Sequence, residues 1–408
     1  MTPDAAAAAQ LGTPEGQQAL AAATAQPDPG SLRAAQTLRR QFPAELAAAA
    51  LTQAELRRRA GTKFGPAADT MFFTRDGLEQ ATRPEVAAHH AARFRSAGAT
   101  RVVDLGCGIG TDALAFAEAG LEVTAVEVDP DTAEMARLNL GDRVTVLVAD
   151  AELVAQQLLT PGVAVFCDPA RRTSSGRLWR VEDFTPSWAL VTRLLDGTRV
   201  AGVKLGPALP STLVPPTAEA EWVSSRGDTV EVGLWSGAGS IPGARVASVL
   251  PDVRLVVGAS VPELPTRPVG GYLYEPDGAV IRAGGVPTVG EHVSGWLLDP
   301  KIAYLSSDTL VDTPLAAAFE VLDVLPYQEK GIRRWLQQHG IGTLEIKKRG
   351  IDVDPAQLRR RLPLSGPGSC TLILSRTPTG AVAVLARRLP ARPPAPTRSS
   401  PGRTHPRR

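Results

Sequence analysis

Between Arg101 and Val128 the chain reads RVVDLGCGIGTDALAFAEAGLEVTAVEV, and few folds accommodate that order of residues. Val102 and Val103 carry a short apolar strand into Asp104, after which Gly106, Gly108 and Gly110 make a turn that residues bearing a Cβ follow poorly. Thr111 to Ala119 are good helix formers, with Gly110 or Thr111 placed to cap the first turn and Gly120 to stop the last. Glu122 to Val128 then makes a second strand. Strand, glycine turn, helix and strand in so short a span form a parallel βαβ unit, whose turn lets a ligand approach the amides at the helix N-terminus. Glu127, closing the second strand, is placed to accept two hydrogen bonds from the vicinal hydroxyls of a ribose, so the expected ligand is an adenosine derivative.

Glycine spacing narrows the choice. Dinucleotide sites call for G-x-G-x-x-G, whereas here the glycines fall as G-x-G-x-G directly after Asp104. The run DLGCGIG resembles the first motif of class I S-adenosylmethionine-dependent methyltransferases. That resemblance implies a Rossmann-like sheet and S-adenosyl-L-methionine as cofactor, with Asp104, Gly106, Gly108 and Gly110 around its methionine moiety and Glu127 on its ribose. Asp129-Pro130 opens a further helix that ends near Gly141, and Val144 to Val148 forms a third strand running into Asp150. In the family an acid after this strand commonly accepts from the adenine amine, a role the resemblance implies for Asp150. The same residue also stands where the helix beginning at Ala151 needs an N-cap.

Val163 to Phe166 is a fourth apolar strand leading into Cys167-Asp168-Pro169-Ala170-Arg171-Arg172. A carboxylate at the carboxyl edge of a parallel sheet, followed by a proline that fixes the chain, occupies the place where such folds bind ligands, so Asp168 and Pro169 form the expected catalytic position. Within the methyltransferase family, D/N-P-P-x motifs here mark enzymes acting on amino groups or nucleic-acid bases, and DPAR is similar to a form seen in RNA methyltransferases. Arg171 stands where base-amine enzymes carry a stacking aromatic, a departure that leaves an adenine or cytosine amine in question. C5-pyrimidine chemistry requires a cysteine thiolate. The next strand, Arg199 to Leu205, leads into Gly206-Pro207 without one, and Cys167 reads as a small buried apolar residue. Arg171 and Arg172 either face the phosphates and base edges of a substrate or pair with Glu182 and Asp183, and Trp179 either stacks on a base or pins its own loop. A hairpin within Glu221 to Trp235, turning at Arg226-Gly227-Asp228, is expected to finish the sheet.

At 408 residues the chain is longer than one core usually covers. The expected division is a helical N-terminal region over residues 1–98, the methyltransferase domain over 99–240, an α+β domain over 241–389 and a disordered, basic, proline-rich tail over 390–408. In the first region, Gly61, Gly65 and Pro66 are expected to break the helices, while Arg57 to Arg59 and Lys63 offer either contacts to substrate phosphate or a solvated face. In the third, a strand at Phe319 to Val324 precedes a helix at Gln328 to Gln338, a strand at Leu344 to Lys348, a helix at Asp354 to Leu362 and a closing hairpin at Thr371 to Ser375 and Ala381 to Arg387. Lys330, Arg333, Arg334, Lys347, Lys348, Arg349 and Arg359 to Arg361 outnumber the acids of that stretch, an excess suited to phosphate contacts. Its run EIKKRGIDVDPAQLRRRL, with DPARR upstream, looks like the bacterial methyltransferases that carry a C-terminal THUMP-like domain. That resemblance implies RNA, as tRNA or rRNA, for a partner.

Whole-chain charge decides little, since 44 Lys and Arg stand against 42 Asp and Glu. No apolar run reaches membrane-spanning length and the N-terminus lacks a signal-peptide pattern, so a cytoplasmic protein with no membrane partner is expected. Three cysteines and five histidines are scattered without the spacing of a disulfide framework or a metal site. The expectation is a methyltransferase acting on a base nitrogen of structured RNA. The alternatives are a methyltransferase of small molecules or proteins, and an RNA-binding relative without turnover.

Overall fold

A computed structural model describes residues 9–171 and 181–390 of the chain. Two compact units divide it, Met1–Asp252 and Val253–Arg408.

The first unit opens with helices Pro14–Thr24, Leu32–Arg39 and Ala44–Phe64, the first two started by Thr13 and Ser31, whose hydroxyls accept from the amides of Gly16 and Ala34. The third runs straight through Gly61, where a break was expected, and ends only at Gly65-Pro66. One interior glycine costs about 1 kcal/mol, which the burial of Leu56, Ala60 and Phe64 on the same helix face offsets. Their core also takes in Ile109 of the glycine turn and Met135 of the helix Pro130–Leu140, so these helices pack against the turn and that helix. Asn139 fastens the join, accepting from the Phe72 amide at 2.7 Å and donating to the carbonyls of Phe72 and Ile109 at 2.9 and 2.8 Å.

The strands of this unit are β1 (Arg101–Leu105), β2 (Glu122–Glu127), β3 (Thr145–Val148), β4 (Ala164–Cys167), the two-residue β5 (Ala170–Arg171) and β6 (Phe184–Thr185), β7 (Ala201–Leu205), β8 (Glu219–Ser225), β9 (Asp228–Ser236) and β10 (Arg245–Val249). The main sheet contains the order β10-β8-β9-β7-β4-β1-β2-β3. Strands β3, β2, β1, β4 and β7 are parallel, and β9 lies antiparallel between β7 and β8. The β8–β9 hairpin turns through Arg226 and Gly227, both at positive φ, and β10 adds a parallel strand beyond β8. Because the chain leaves β3 and re-enters beside β1 as β4, the strand order reverses there, and the carboxyl ends of β1 and β4 border the crevice where parallel sheets bind ligands.

The second unit holds β11 (Val253–Val257), β12 (Tyr272–Pro276), β13 (Trp296–Asp299), β14 (Ile302–Ser307), β15 (Ala316–Pro326), β16 (Ile341–Arg349), β17 (Gly368–Thr377) and β18 (Gly380–Arg388). Seven of these form a sheet in the order β13-β14-β12-β15-β18-β17-β16. The expected strand-helix-strand-helix-hairpin pattern is present from β15 onward, and β12, β13 and β14, which were not anticipated, widen it. Residues alternate across β17: Leu372 and Leu374 pack under the helices Glu329–Gln338 and Pro355–Arg361, and Ile373 faces Tyr304 and Phe319 on the other side. Among the described residues no helix is long and apolar enough to cross a membrane.

Candidate active site

The glycine turn is pinned to β2 by two amides, those of Gly106 and Cys107, which donate to the Val126 carbonyl at 2.9 and 3.0 Å. Gly106 and Gly110 sit at φ +85° and +86°. A Cβ on Gly110 would fall 2.9 Å from Leu140 Cδ1, and one on Gly106 would lie 3.2 Å from the Asp168 carbonyl oxygen, so close packing as well as backbone conformation excludes side chains there. A Cβ on Gly108, in contrast, would meet nothing within 4 Å. It projects into a cavity of about 600 Å³ whose wall includes Gly106, Gly108, Glu127, Asp150, Asp168 and Lys204.

Glu127 divides its carboxylate between two amides, accepting from Gly108 on Oε2 and from Asp129 on Oε1, each at 3.0 Å. Asp150 is the N-cap of the helix Ala151–Leu158, with Oδ1 accepting from the Glu152 amide at 2.8 Å, and it also stands on the cavity wall. Asp104 and Gly110, expected beside the cofactor, are not among the residues of the cavity wall; Asp104 is fully buried, and neither of its carboxylate oxygens has a hydrogen-bond partner among the described residues. Burial, reinforced by the negative charges of Asp112 and Asp168, pushes its carboxyl well above the ordinary range.

Asp168 follows β4 directly, its amide reaching the Leu105 carbonyl at 3.3 Å, with Pro169 and Ala170 continuing the wall. Its side chain is 32% exposed, and Oδ2 accepts from Lys204 Nζ at 2.5 Å. Lys204, four residues into β7, was not anticipated. Its ammonium also donates to the Thr82 hydroxyl at 3.1 Å, and that hydroxyl donates in turn to Asp112. Asp112 accepts from His90 Nδ1 at 2.8 Å, while His90 Nε2 bonds Glu231 at 2.6 Å. A buried polar chain therefore runs Asp168, Lys204, Thr82, Asp112, His90, Glu231, drawn from six separate segments. With a carboxylate on each ring nitrogen, His90 is an imidazolium; burial alone would lower its pKa, but Glu231 and Asp112 overcome that and raise it to about 10. Burial likewise opposes the Lys204 charge, and Asp168, Asp112 and Glu231 together hold it above the usual lysine range. Burial lifts the Asp168 carboxyl and Lys204 draws it only partly back.

Of the five new members, two left a trace in the sequence. His90 shares the helix Pro84–Ser96 face with Val86, Ala87, Ala91 and Phe94, all buried, and Lys204 is the one charge in the apolar strand β7, at the sheet edge where ligands bind. Arg171 contributes backbone to β5, paired with Phe184, whereas Arg172 and Trp179 lie outside the described residues. Cys167 is fully buried, which pushes its thiol well up. The upstream arginines are occupied within the fold: Arg57 donates to the Met71 and Thr70 carbonyls, Arg58 to the Pro27 carbonyl and Arg59 pairs with Glu79.

Family models match three stretches, a methyltransferase domain over residues 102–165, a THUMP domain-like module over 316–388 and a domain of unknown function over 4–60. Two uncharacterized S-adenosylmethionine-dependent methyltransferases of Mycobacterium tuberculosis, from strains CDC 1551 and H37Rv, are each 35% identical over 340 residues, covering 80% of this chain and 92% of theirs. The chain belongs to the S-adenosylmethionine-dependent methyltransferases. It is a class I member with a THUMP-like domain, and its methyl donor is S-adenosyl-L-methionine. The same overall fold occurs in a solved structure of a proposed methyltransferase from Porphyromonas gingivalis W83, with a TM-score of 0.73 and 23% identity over 91% of this chain and 98% of that one. The residues of the crevice suit such a donor. Gly108 leaves open space where a side chain would intrude, Glu127 stands on the same wall with its carboxylate bonded to the Gly108 amide, and the buried Asp104 has two acceptor oxygens unsatisfied.

Proposed function

We propose that this methyltransferase modifies a base nitrogen of structured RNA, tRNA or rRNA, and that Asp168 meets the nitrogen that receives the methyl group. The observation that carries the reading is the placing of Asp168: one carboxylate oxygen is held by Lys204, the other takes no hydrogen bond from the described residues, and the residue stands on the wall of the cavity that the glycine turn also lines. Glu127 would hold the ribose hydroxyls, Asp150 the adenine amine, and Asp104 with Gly106, Gly108 and Gly110 the methionine end of the donor.

When bound, S-adenosyl-L-methionine supplies a methyl group already activated by its sulfonium. The protein's share is alignment and charge. Oδ1 of Asp168 accepts an N–H of the acceptor, turning the nitrogen lone pair toward the methyl carbon, and receives the proton as the nitrogen gains its new bond. A carboxyl held above its ordinary range by burial is a better proton acceptor than a solvated one. Lys204 and Pro169 keep it from turning away. Lys330, Arg333 and Arg334 on the helix Glu329–Gln338, with Lys348 on β16 and Arg359 and Arg360, are exposed and form no ion pair among the described residues, which suits an RNA-binding role for the THUMP-like module. Arg171, Arg172 and Trp179 would contact the substrate beside the reacting base.

The test is transfer of labelled methyl from the donor to total RNA of cells lacking this protein, using the full chain and Asp168→Ala. Transfer to nuclease-sensitive material by the wild type, lost in the variant while S-adenosylhomocysteine still binds, is the expected result. Undiminished transfer by the variant removes Asp168 from the reaction, and label confined to protein or small molecules removes the RNA.

A further inference from the structure

A second cavity, of about 550 Å³, adjoins the donor crevice and shares Gln80, Ala81, Thr82, Lys204 and Val230 with it, so Lys204 stands in the partition between the two. Its own wall carries Lys63, Arg83 and Arg226. The acids along this wall are all committed. Asp228 accepts from Arg83 at 2.8 Å, Glu231 bonds His90 at 2.6 Å, and Glu79 lies 3.9 Å from Arg59. Arg226 is itself held by Glu85 at 2.8 Å, and Lys204 by Asp168.

Lys63 is different. Its half-buried ammonium donates to the carbonyls of Leu78 and Glu79, at 2.8 and 3.0 Å, and it forms no ion pair among the described residues. Burial, together with repulsion from Lys204 and Arg83, pushes its pKa down to about 8, and Glu79 offsets this only in part. The two carbonyls belong to the last turn of the helix Arg75–Gln80, so one part of the lysine's work is to cap that helix. Capping takes two of its three N–H donors and leaves one on a cation that has two others near it and forms no ion pair among the described residues.

We propose that this second cavity is a phosphate subsite, in which the remaining N–H of Lys63 holds a phosphate of the methyl acceptor while the acceptor's reacting group lies across the Lys204 partition at Asp168. The proposal rests on the reading of Asp168 as the acceptor-side residue. An oxyanion there would meet Lys63, the one of these three neighbouring cations that forms no ion pair among the described residues, through a charge-assisted hydrogen bond. A nucleotide phosphate is the source to which the proposal commits. The carboxylate of the donor's methionine is the competing one.

The experiment is a calorimetric titration of inorganic phosphate into the full chain saturated with S-adenosylhomocysteine, for wild type, Lys63→Gln, Lys63→Arg and, as a remote control, Arg143→Gln. The expected result is one saturable site in the wild type, kept in Lys63→Arg and Arg143→Gln and weakened about ten-fold or more in Lys63→Gln, with S-adenosylhomocysteine affinity unchanged in all four. Absence of a saturable site in the wild type, or equal phosphate affinity in Lys63→Gln, overturns the proposal. So does a parallel loss of S-adenosylhomocysteine affinity in Lys63→Gln, which assigns the lysine to the donor's carboxylate; retention of that affinity in Lys63→Arg shows that charge and not folding is at issue. Phosphate binding needs no methyl transfer, so a chain that binds phosphate through Lys63 yet methylates no RNA refutes the RNA reading and leaves the subsite standing.

Discussion

His90 offers the sharpest quantitative test of the buried polar chain. Its pKa of about 10 in the folded protein compares with an ordinary value of 6.5. Each tenfold in proton affinity is worth ~1.36 kcal/mol, so the bound proton contributes roughly 5 kcal/mol of stability when fully effective. Because the folded value is the higher one, that contribution is complete below pH 6.5, declines as pH rises through the interval and is gone above about pH 10. The expected loss between pH 7 and pH 9 is roughly 2.7 kcal/mol, or about 1 M in urea midpoint at a slope of ~3 kcal/mol/M. His90→Gln removes the titrating group, so the variant is less stable at pH 7 and the two curves converge toward pH 10. Lys63, which also titrates in this window and has no contact with His90, acts in both proteins and cancels in the difference. Urea unfolding followed by tryptophan emission reads the change, with Trp235 only 5.9 Å from the His90 ring, and amide exchange in β4 assigns the transition to the first unit. Curves that stay parallel from pH 7 to pH 9 would refute the doubly clamped imidazolium.

Two further substitutions address the crevice. Lys204→Met removes the cation that draws the Asp168 carboxyl downward, so the acid limb of the pH–rate profile for methyl transfer should move to higher pH. Breaking this partly exposed pair should also cost about 2 kcal/mol, between the values for exposed and fully buried pairs; an unmoved acid limb separates Lys204 from the reaction. Glu127→Ala removes a carboxylate of the crevice wall that also steadies Gly108, and should weaken S-adenosylhomocysteine by about thirty-fold, or ~2 kcal/mol, in a calorimetric titration. Wild-type affinity in that variant would leave Glu127 as a support of the loop alone.

Much of this protein was written locally. The turn at Gly106, Gly108 and Gly110 follows from the conformational freedom of residues without a Cβ, and the strands on either side follow from short apolar runs. The helix start at Asp129-Pro130 and the cap at Asp150 were legible because capping involves only residues two or three positions away. The alternating strands and helices from β15 to β18 were legible for the same reason. Where local rules failed, tertiary burial had overridden them. Gly61 stays helical because its neighbours are anchored in a core, and the alternation of β12 to β14 is short and set among glycines and prolines.

The chemistry of the crevice depended more heavily on distance in the chain. That Asp168 would stand at the sheet edge follows from its place after an apolar strand. That its partner is Lys204, and that a histidine and two more acids lie behind it, could not be read from spacing, since His90 meets Asp112 across 22 residues and Glu231 across 141. The same holds for the cluster near Arg57: Arg57 and Arg58 donate to backbone carbonyls and Arg59 pairs with Glu79, while Lys63, on the wall of the second cavity, forms no ion pair among the described residues. A sequence states which charges exist and which turns can form. Which charge ends beside which, and how much water remains between them, is settled only when distant segments close over one another, because electrostatic energy in a protein depends on burial and separation that no linear order contains.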